Sequence, residues 1–404
     1  MTRTKLIATF AAFGLALSGA ARAEDPGAFK IPGTDTTLKF NGFAEAAVMY
    51  ELSGGYHDLQ TACDYFLCPN GIALDGQKTN APQAALTVAY SRFGLQSTTP
   101  SSIGAIGMRF ELDAAKGYQL AGASDTHSAT LRVRHAYGTV GDWLLIGQTW
   151  STFADLNAFP DQMDENPVTN LAALRAPMIR LTAPTGPVKL TLALEDPYYT
   201  SLSNKANVTA YGNPYWTVPD IIGRVDVPFS MGSFSVRGVA KQYKNDVASK
   251  FGFGGAVGAA FNIGGDALVL DVSGGPGIGT YIYGTTLDAP EDVVVAGTDM
   301  KLWTVVGASL GFTHNWTPQV ASNLIGSGTW TKDDSDVKAA VEAASAGSYG
   351  GFNKSVYTAG FNTRYSPAKS FWVGAEFYYN RRETFSGAKG EEWRGELVSH
   401  FNLF

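Results

Sequence analysis

Arg109, Arg132, Arg134, Arg180, Arg224 and Arg237 occupy alternate positions in otherwise apolar stretches, so each belongs to the polar side of a segment whose other side is greasy. Arg92 joins them if "SRFGL" turns Phe93 and Leu95 to the apolar side. A guanidinium is permanently charged and presents a planar fork of donors that matches a carboxylate. Several of them on one wall form a surface that favours anions. The complementary charges are concentrated elsewhere: "IGQTWSTFADLNAFPDQMDENP" carries Asp155, Asp161, Asp164 and Glu165 in a run with two prolines and no regular period. If that run folds against the arginine-bearing segments, carboxylates facing guanidiniums set up a transverse field across the space between them.

Other chemistries fit less well. Gly307-Ala308-Ser309-Leu310-Gly311 matches G-x-S-x-G with His314 nearby, but a nucleophile elbow needs strand, sharp turn and helix. Here "WTVVGASLGFTHNWTP" reads as one continuous strand ending in a turn, and small residues packing in a sheet explain the pattern. There is no H-E-x-x-H and no glycine-rich phosphate loop, so neither a metal nor another cofactor is implied.

The first residues address the chain for export. Arg3 and Lys5 precede "LIATFAAFGLALSGA", and Ala21-Arg22-Ala23 closes it with small residues where a signal peptidase reads, which predicts residues 1–23 as a signal peptide cleaved after Ala23. No later run approaches the ~18 apolar residues of a membrane helix. Loss of Arg3, Lys5 and Arg22 leaves 27 basic against 36 acidic residues, a formal charge of −9 that excludes nucleic acid as a partner. Cys63 and Cys68 lie close together in a turn-rich segment, and in an oxidising compartment they are expected to form a local disulfide that pins a loop tip. A maleimide should label them only after reduction; labelling of the untreated protein would remove the bridge.

Export without a membrane helix leaves two choices, a soluble protein or one that crosses a membrane on strands. Ile106, Met108, Phe110 and Leu112 alternate with Arg109, Glu111 and Asp113, which is the two-residue period of a strand. Leu38, Phe40, Ala44, Val48 and Tyr50 likewise oppose Lys39, Asn41 and Glu45. Leu131, Val133 and Tyr137 oppose Arg132 and Arg134, and Phe234, Val236 and Ala240 oppose Ser235, Arg237 and Lys241. Tyr357, Ala359, Phe361 and Tyr365 oppose Lys354, Thr358, Asn362 and Arg364. The best helical candidate is "SDVKAAVEAASAGS". Tight turns are marked at 98–102, Gly141-Asp142, 184–187, 230–232, Gly264-Gly265-Asp266, Thr317-Pro318 and 366–370. Longer polar connections fall near 53–82, 116–127, 153–175, 198–218, 244–250, 284–297, 332–350 and 385–391.

Seven turns alternating with eight loops join 16 strands. Short turns on one side and long loops on the other are the pattern of an outer-membrane barrel, in which closure leaves no strand edge facing lipid. The fold expected is therefore all-β, a 16-stranded antiparallel transmembrane β-barrel over 37–404 behind a short periplasmic segment, 24–36, in the outer membrane of a Gram-negative bacterium. Aromatics near strand ends, among them Tyr50, Trp143, Trp303, Trp330 and Trp372, suit the two lipid interfaces. The closing strand ends on Phe404, which resembles the signal that barrel-assembly machinery reads, although His400 and Asn402 share its parity.

The acidic run follows the fifth strand, and is therefore the third long connection. In general porins this loop folds back into the barrel and narrows the pore. "IPGTDTTLKFNGF", "SRFGLQSTTP", "LLIGQTWSTFADLNAFPDQMDENP" and "RAPMIRLT" together resemble the DcaP-like family of outer-membrane porins. The resemblance implies a homotrimer of 16-stranded barrels passing small anionic solutes, dicarboxylates especially, past arginines at a constriction. Some members carry a coiled coil before the barrel; only "EDPGAFKIPGTDT" stands there in this chain. The alternatives are a general, non-selective porin and a barrel-embedded outer-membrane hydrolase.

Overall fold

A computed structural model of the chain describes residues 27–54, 69–77, 81–119, 128–164, 169–170, 174–197, 216–246, 248–283, 292–296, 299–344 and 346–403. The strands of the first half are β1 (Ala28–Lys30), β2 (Thr37–Ser53), β3 (Gln83–Thr87), β4 (Arg92–Thr99), β5 (Ile106–Gln119), β6 (Ser128–Val140), β7 (Leu144–Trp150), β8 (Arg175–Thr185), β9 (Val188–Glu195) and β10 (Asp220–Phe229). Those of the second half are β11 (Gly232–Lys244), β12 (Ser249–Ile263), β13 (Asp266–Pro276), β14 (Val293–Ala296), β15 (Asp299–Leu302), β16 (Thr304–Thr317), β17 (Val320–Thr331), β18 (Asn353–Ala368), β19 (Phe371–Thr384) and β20 (Lys389–Asn402). Among the described residues two α-helices, α1 (Thr280–Tyr283) and α2 (Ser335–Ala344), interrupt the long connections. α2 is the helix predicted from "SDVKAAVEAASAGS".

Among the described residues one antiparallel sheet contains every strand except the β14–β15 hairpin. β3 and β4 are two halves of a single wall strand, both paired to β2, and β1 is a three-residue addition along β2 at Ala28↔Lys39. Sixteen wall strands remain, and β20 closes the barrel on β2 through Val48↔Leu397. The break between β3 and β4 has a local cause. Tyr90 turns into the interior, and the Ser91 hydroxyl takes over the ladder at Glu45, accepting from its amide at 3.0 Å and donating to its carbonyl at 3.3 Å.

Burial is inverted relative to a soluble protein. Leu131, Leu324 and Phe361 are 66%, 57% and 49% exposed, while Asn323 and Asn362 beside two of them are 2% and 1% exposed. Apolar side chains outside and polar ones inside are what a hydrocarbon solvent selects. Trp143, Phe229 and Trp316 mark the turn end of this belt, and Tyr50, Trp330, Tyr357 and Trp393 mark the loop end. At the closing strand Phe401 and Leu403 point outward and His400 inward, so the even positions of β20 belong to the lumen; Phe404 lies outside the described residues.

Three facings differ from the sequence expectation: Trp303, expected at a lipid interface, is 1% exposed and packs with Tyr349 and Phe352, Trp372 stacks on the inward His400, and Tyr137 turns to the polar side. Tyr137 was grouped with the outward Leu131 and Val133, but β6 carries one extra residue where Glu111 pairs with His135 and Leu112 with Val133. The bulge turns both Arg134 and His135 inward and reverses the parity beyond them. Tyr137 is thereby opposite Arg109, on the polar side. The neighbouring strand is pressed close here: Gly147 of β7 sits at φ +127°, and a Cβ would run into the Ala136 carbonyl and the Tyr137 backbone.

Candidate functional site

The inner wall of β4–β8 gathers the arginines that the alternation placed there. Glu111 accepts from Arg109 Nη2 at 2.7 Å and from Arg134 Nε at 2.9 Å. Asp113 accepts from Arg132 Nε and Nη2 at 2.9 and 2.6 Å, a forked contact, and from Arg134 Nη1 at 2.8 Å. Arg134 is the hub of this group and only 2% exposed, so it fixes the two carboxylates and does not present a free face to the lumen. Arg109 and Arg132 retain 34% and 28% side-chain exposure and form the solvent-facing part. Arg180 donates to the Thr152 hydroxyl at 2.9 Å and the Trp150 carbonyl at 2.7 Å, and has no carboxylate within ion-pair distance among the described residues. Arg92 lies 5.2 Å from the Phe43 ring centre.

The irregular run after β7 meets the polar faces of strands around the barrel. Thr152 N donates to Glu195 of β9 at 2.6 Å. Asp155 pairs with Arg224 of β10 at 3.1 Å and accepts from the Ser235 hydroxyl, while Arg224 also reaches the Ala154 carbonyl at 2.7 Å. Arg237 of β11 donates to the Phe153 carbonyl at 2.6 Å and pairs with Asp271. Asp161 takes a bidentate contact from Arg364 of β18, 2.7 Å at the shorter bond. The amides of Met163 and Asp164 donate to Glu376 of β19 at 3.0 and 2.8 Å, and Asp164 lies 3.4 Å from Arg394 of β20. Farther along, Thr169 N donates to Ser327 at 3.1 Å and Asn170 to the Asp271 carbonyl at 3.1 Å.

Of the expected facing of acids and arginines, the structure gives a different pairing. Asp155 meets one of the named arginines, Arg224, whereas Asp161 and Asp164 are held by Arg364 of β18 and Arg394 of β20, outside that named set. The carboxylates are consumed at the wall and do not confront Arg109, Arg132 and Arg180. Arg224 and Arg237 are consequently anchors of this run. Glu165, Cys63 and Cys68 lie outside the described residues, as does the leader.

Three features were not foreseen. Arg175, present in "RAPMIRLT", stacks on Trp150. Arg364 was visible on a polar face, but nothing in the sequence ties it to Asp161. The connection after β13 also joins the interior: Ile278 and, from α1, Tyr281 and Ile282 pack with Phe153 and Leu174, Tyr281 donates to Asp220 at 2.8 Å, and Lys241 pairs with Asp292 at 3.1 Å. Between the run and the turn end of β6–β11 is a cavity of about 730 Å³, lined by Thr139, Thr182, Thr191, Arg180, Lys189 and Arg224 among others. Among the described residues no group of three His, Cys, Asp or Glu could hold a metal ion.

The G-x-S-x-G motif at Ser309 does not form a nucleophile elbow. Ser309 sits in the middle of β16, paired with Asp271 and Ser327, and no helix follows it. His314 is five residues farther along the same extended strand, roughly 16 Å away, and pairs instead with Asp266 at 2.8 Å.

The profile of the DcaP outer membrane protein family matches residues 27–403. Among solved structures, the outer membrane channel DcaP of Acinetobacter baumannii is similar at a TM-score of 0.77 and 24% identity, over 93% of this chain and 99% of that one. Salmonella typhi OmpF in complex with daunomycin is similar at a TM-score of 0.57 and 11% identity, over 92% and 99%. OmpT of Vibrio cholerae in its trimer form is similar at 0.55 and 8% identity, over 91% and 99%. No curated protein sequence matches. The family profile spans nearly the whole described chain, and this 16-stranded barrel belongs to the DcaP outer membrane protein family.

Proposed function

We propose that this outer-membrane channel passes small anionic solutes by passive diffusion, dicarboxylates foremost, and has no enzymatic activity. The observation that carries the reading is the charge on the inner face of β4–β9: Arg92, Arg109, Arg132, Arg134, Arg175, Arg180 and Lys189 stand against Glu111, Asp113 and Glu195 among the described residues with resolved side chains. An excess of guanidiniums in a narrow space bounded by low-dielectric walls concentrates anions and repels cations. The acidic net charge of the chain does not oppose this, because the local lining sets the field.

The run 151–174 is taken to fold inward and narrow the pore, supported by its hydrogen bonds to Glu195, Ser235, Asp271, Glu376 and Ser327 on polar strand faces. Held against β9–β13 and β17–β20, with Arg180 of β8 at its root, it leaves the rest of the arginine wall of β4–β8 as the free side of the passage. A homotrimer is the assembly proposed, with insertion by the barrel-assembly machinery through Phe404. Planar-bilayer recording of the detergent-purified protein in asymmetric KCl tests the function. The expected reversal potential has the sign of anion preference. A zero or cation-selective potential would replace this reading with a general sieve.

A further inference from the structure

The wall arginines differ in what holds them. Arg109, Arg132 and Arg134 share Glu111 and Asp113, and Arg180 is fixed by Thr152 and the Trp150 carbonyl. Arg175 has no such partner: among the described residues no carboxylate pairs with it, and its Nε is buried without a hydrogen-bond acceptor. Its guanidinium carbon instead lies 3.5 Å from the centre of the Trp150 ring. Trp150 is fixed in turn by its cross-strand pairing with Arg175, by Phe159 at 6.3 Å and by His135 at 6.4 Å.

The surroundings of Arg175 are cationic. The charges that act on it most strongly are Arg134, Arg132 and Arg92. Asp113 is the carboxylate in range, and both its oxygens are already engaged by Arg132 and Arg134. A half-buried cation among cations, without an internal counter-charge, is costly unless an anion arrives from outside. The indole covers one face of the guanidinium, which directs an incoming oxyanion to the donor edge in the guanidinium plane, where the fork fits both oxygens of a carboxylate.

We infer that Arg175, laid flat on Trp150, is the docking point for a carboxylate of the passing solute. The inference rests on the anion-channel reading and adds a specific binding step to a diffuse field. Stacking pre-orients the fork, so little side-chain freedom is lost when a carboxylate binds. Lysine at the same position would keep the charge but lose both the fork and the stacked plane.

The test uses the full-length protein in planar bilayers, reading succinate binding from concentration-dependent current fluctuations and ion selectivity from the reversal potential in KCl. In Arg175→Lys the apparent affinity for succinate should fall about tenfold, since a stacked fork is worth about one decade of binding over a point charge. The reversal potential should stay put, because the charge is conserved. Lys354→Gln removes a whole charge from an exposed position outside the arginine wall and should leave succinate affinity near that of the wild type. Wild-type affinity in Arg175→Lys, or an equal loss in Lys354→Gln, would overturn the docking role while an anion-selective wild type kept the channel reading. A wild type without anion preference would overturn both.

Discussion

Replacing Arg109 and Arg132 together by serine should carry the reversal potential from anion toward cation preference, with a change in permeability ratio on the order of tenfold at low salt. The cluster they belong to contains three guanidiniums and two carboxylates, Arg109, Arg132 and Arg134 against Glu111 and Asp113, a net charge of +1. Removing the two exposed arginines makes it −1. The barrel should survive, because Arg134 still donates to Glu111 at 2.9 Å and to Asp113 at 2.8 Å and leaves neither buried carboxylate alone. Arg134 itself is the wrong residue to replace: it is 2% exposed and ties Glu111 to Asp113, so its loss would break a buried ion-pair network and obscure any change of selectivity. The effect should shrink as KCl rises, because the screening length falls from about 8 Å at physiological strength to about 3 Å at 1 M. An unchanged permeability ratio in a folded, conducting double variant would place the filter elsewhere.

The choice of those two arginines shows where sequence reading succeeds and stops. Period-two alternation fixes which side of a strand a residue takes, so Arg109, Arg132, Arg180, Arg224 and Arg237 were legible as polar-face residues, and turn chemistry fixed the number of strands. The same logic misplaced Tyr137, because a bulge inserts a residue without any sequence mark and reverses everything after it. What each arginine pairs with was not legible at all. Asp161 and Arg364 are 203 residues apart, and only closure of the barrel brings β18 to the run after β7. Arg175 was passed over for a related reason: its neighbour Trp150 sits across a long connection, and the signal lay in the pairing of β7 with β8. Without the pairings, the acids of that run read as a charged face opposing the arginines. With them they are the fastenings of a segment that is proposed to narrow the passage.

Glu376→Ala should therefore widen and destabilise the pore: a higher single-channel conductance with frequent flicker, and weaker discrimination between ions. Glu376 is 3% exposed and accepts from Met163 N at 3.0 Å, Asp164 N at 2.8 Å and Asn362 Nδ2 at 2.8 Å. Alanine leaves two adjacent amides of the run without an acceptor, and the asparagine that organises them loses its contact. At about 1 kcal/mol or more for each bond, the attachment of residues 161–164 weakens by about 3 kcal/mol, a factor of about 10² in the local equilibrium between seated and released. The remaining fastenings, Asp161 to Arg364 and Asp155 to Arg224, hold the run in the neighbourhood, so the expected behaviour is fluctuation and not a permanently open barrel. Glu376→Gln keeps one acceptor oxygen and should fall between alanine and the wild type. The arginine wall is untouched by either change, so the sign of selectivity should persist while its strength declines with the wider bore. Wild-type conductance and quiet traces in Glu376→Ala, with the barrel still shifting on heat-modified gels, would mean that the run does not limit the pore.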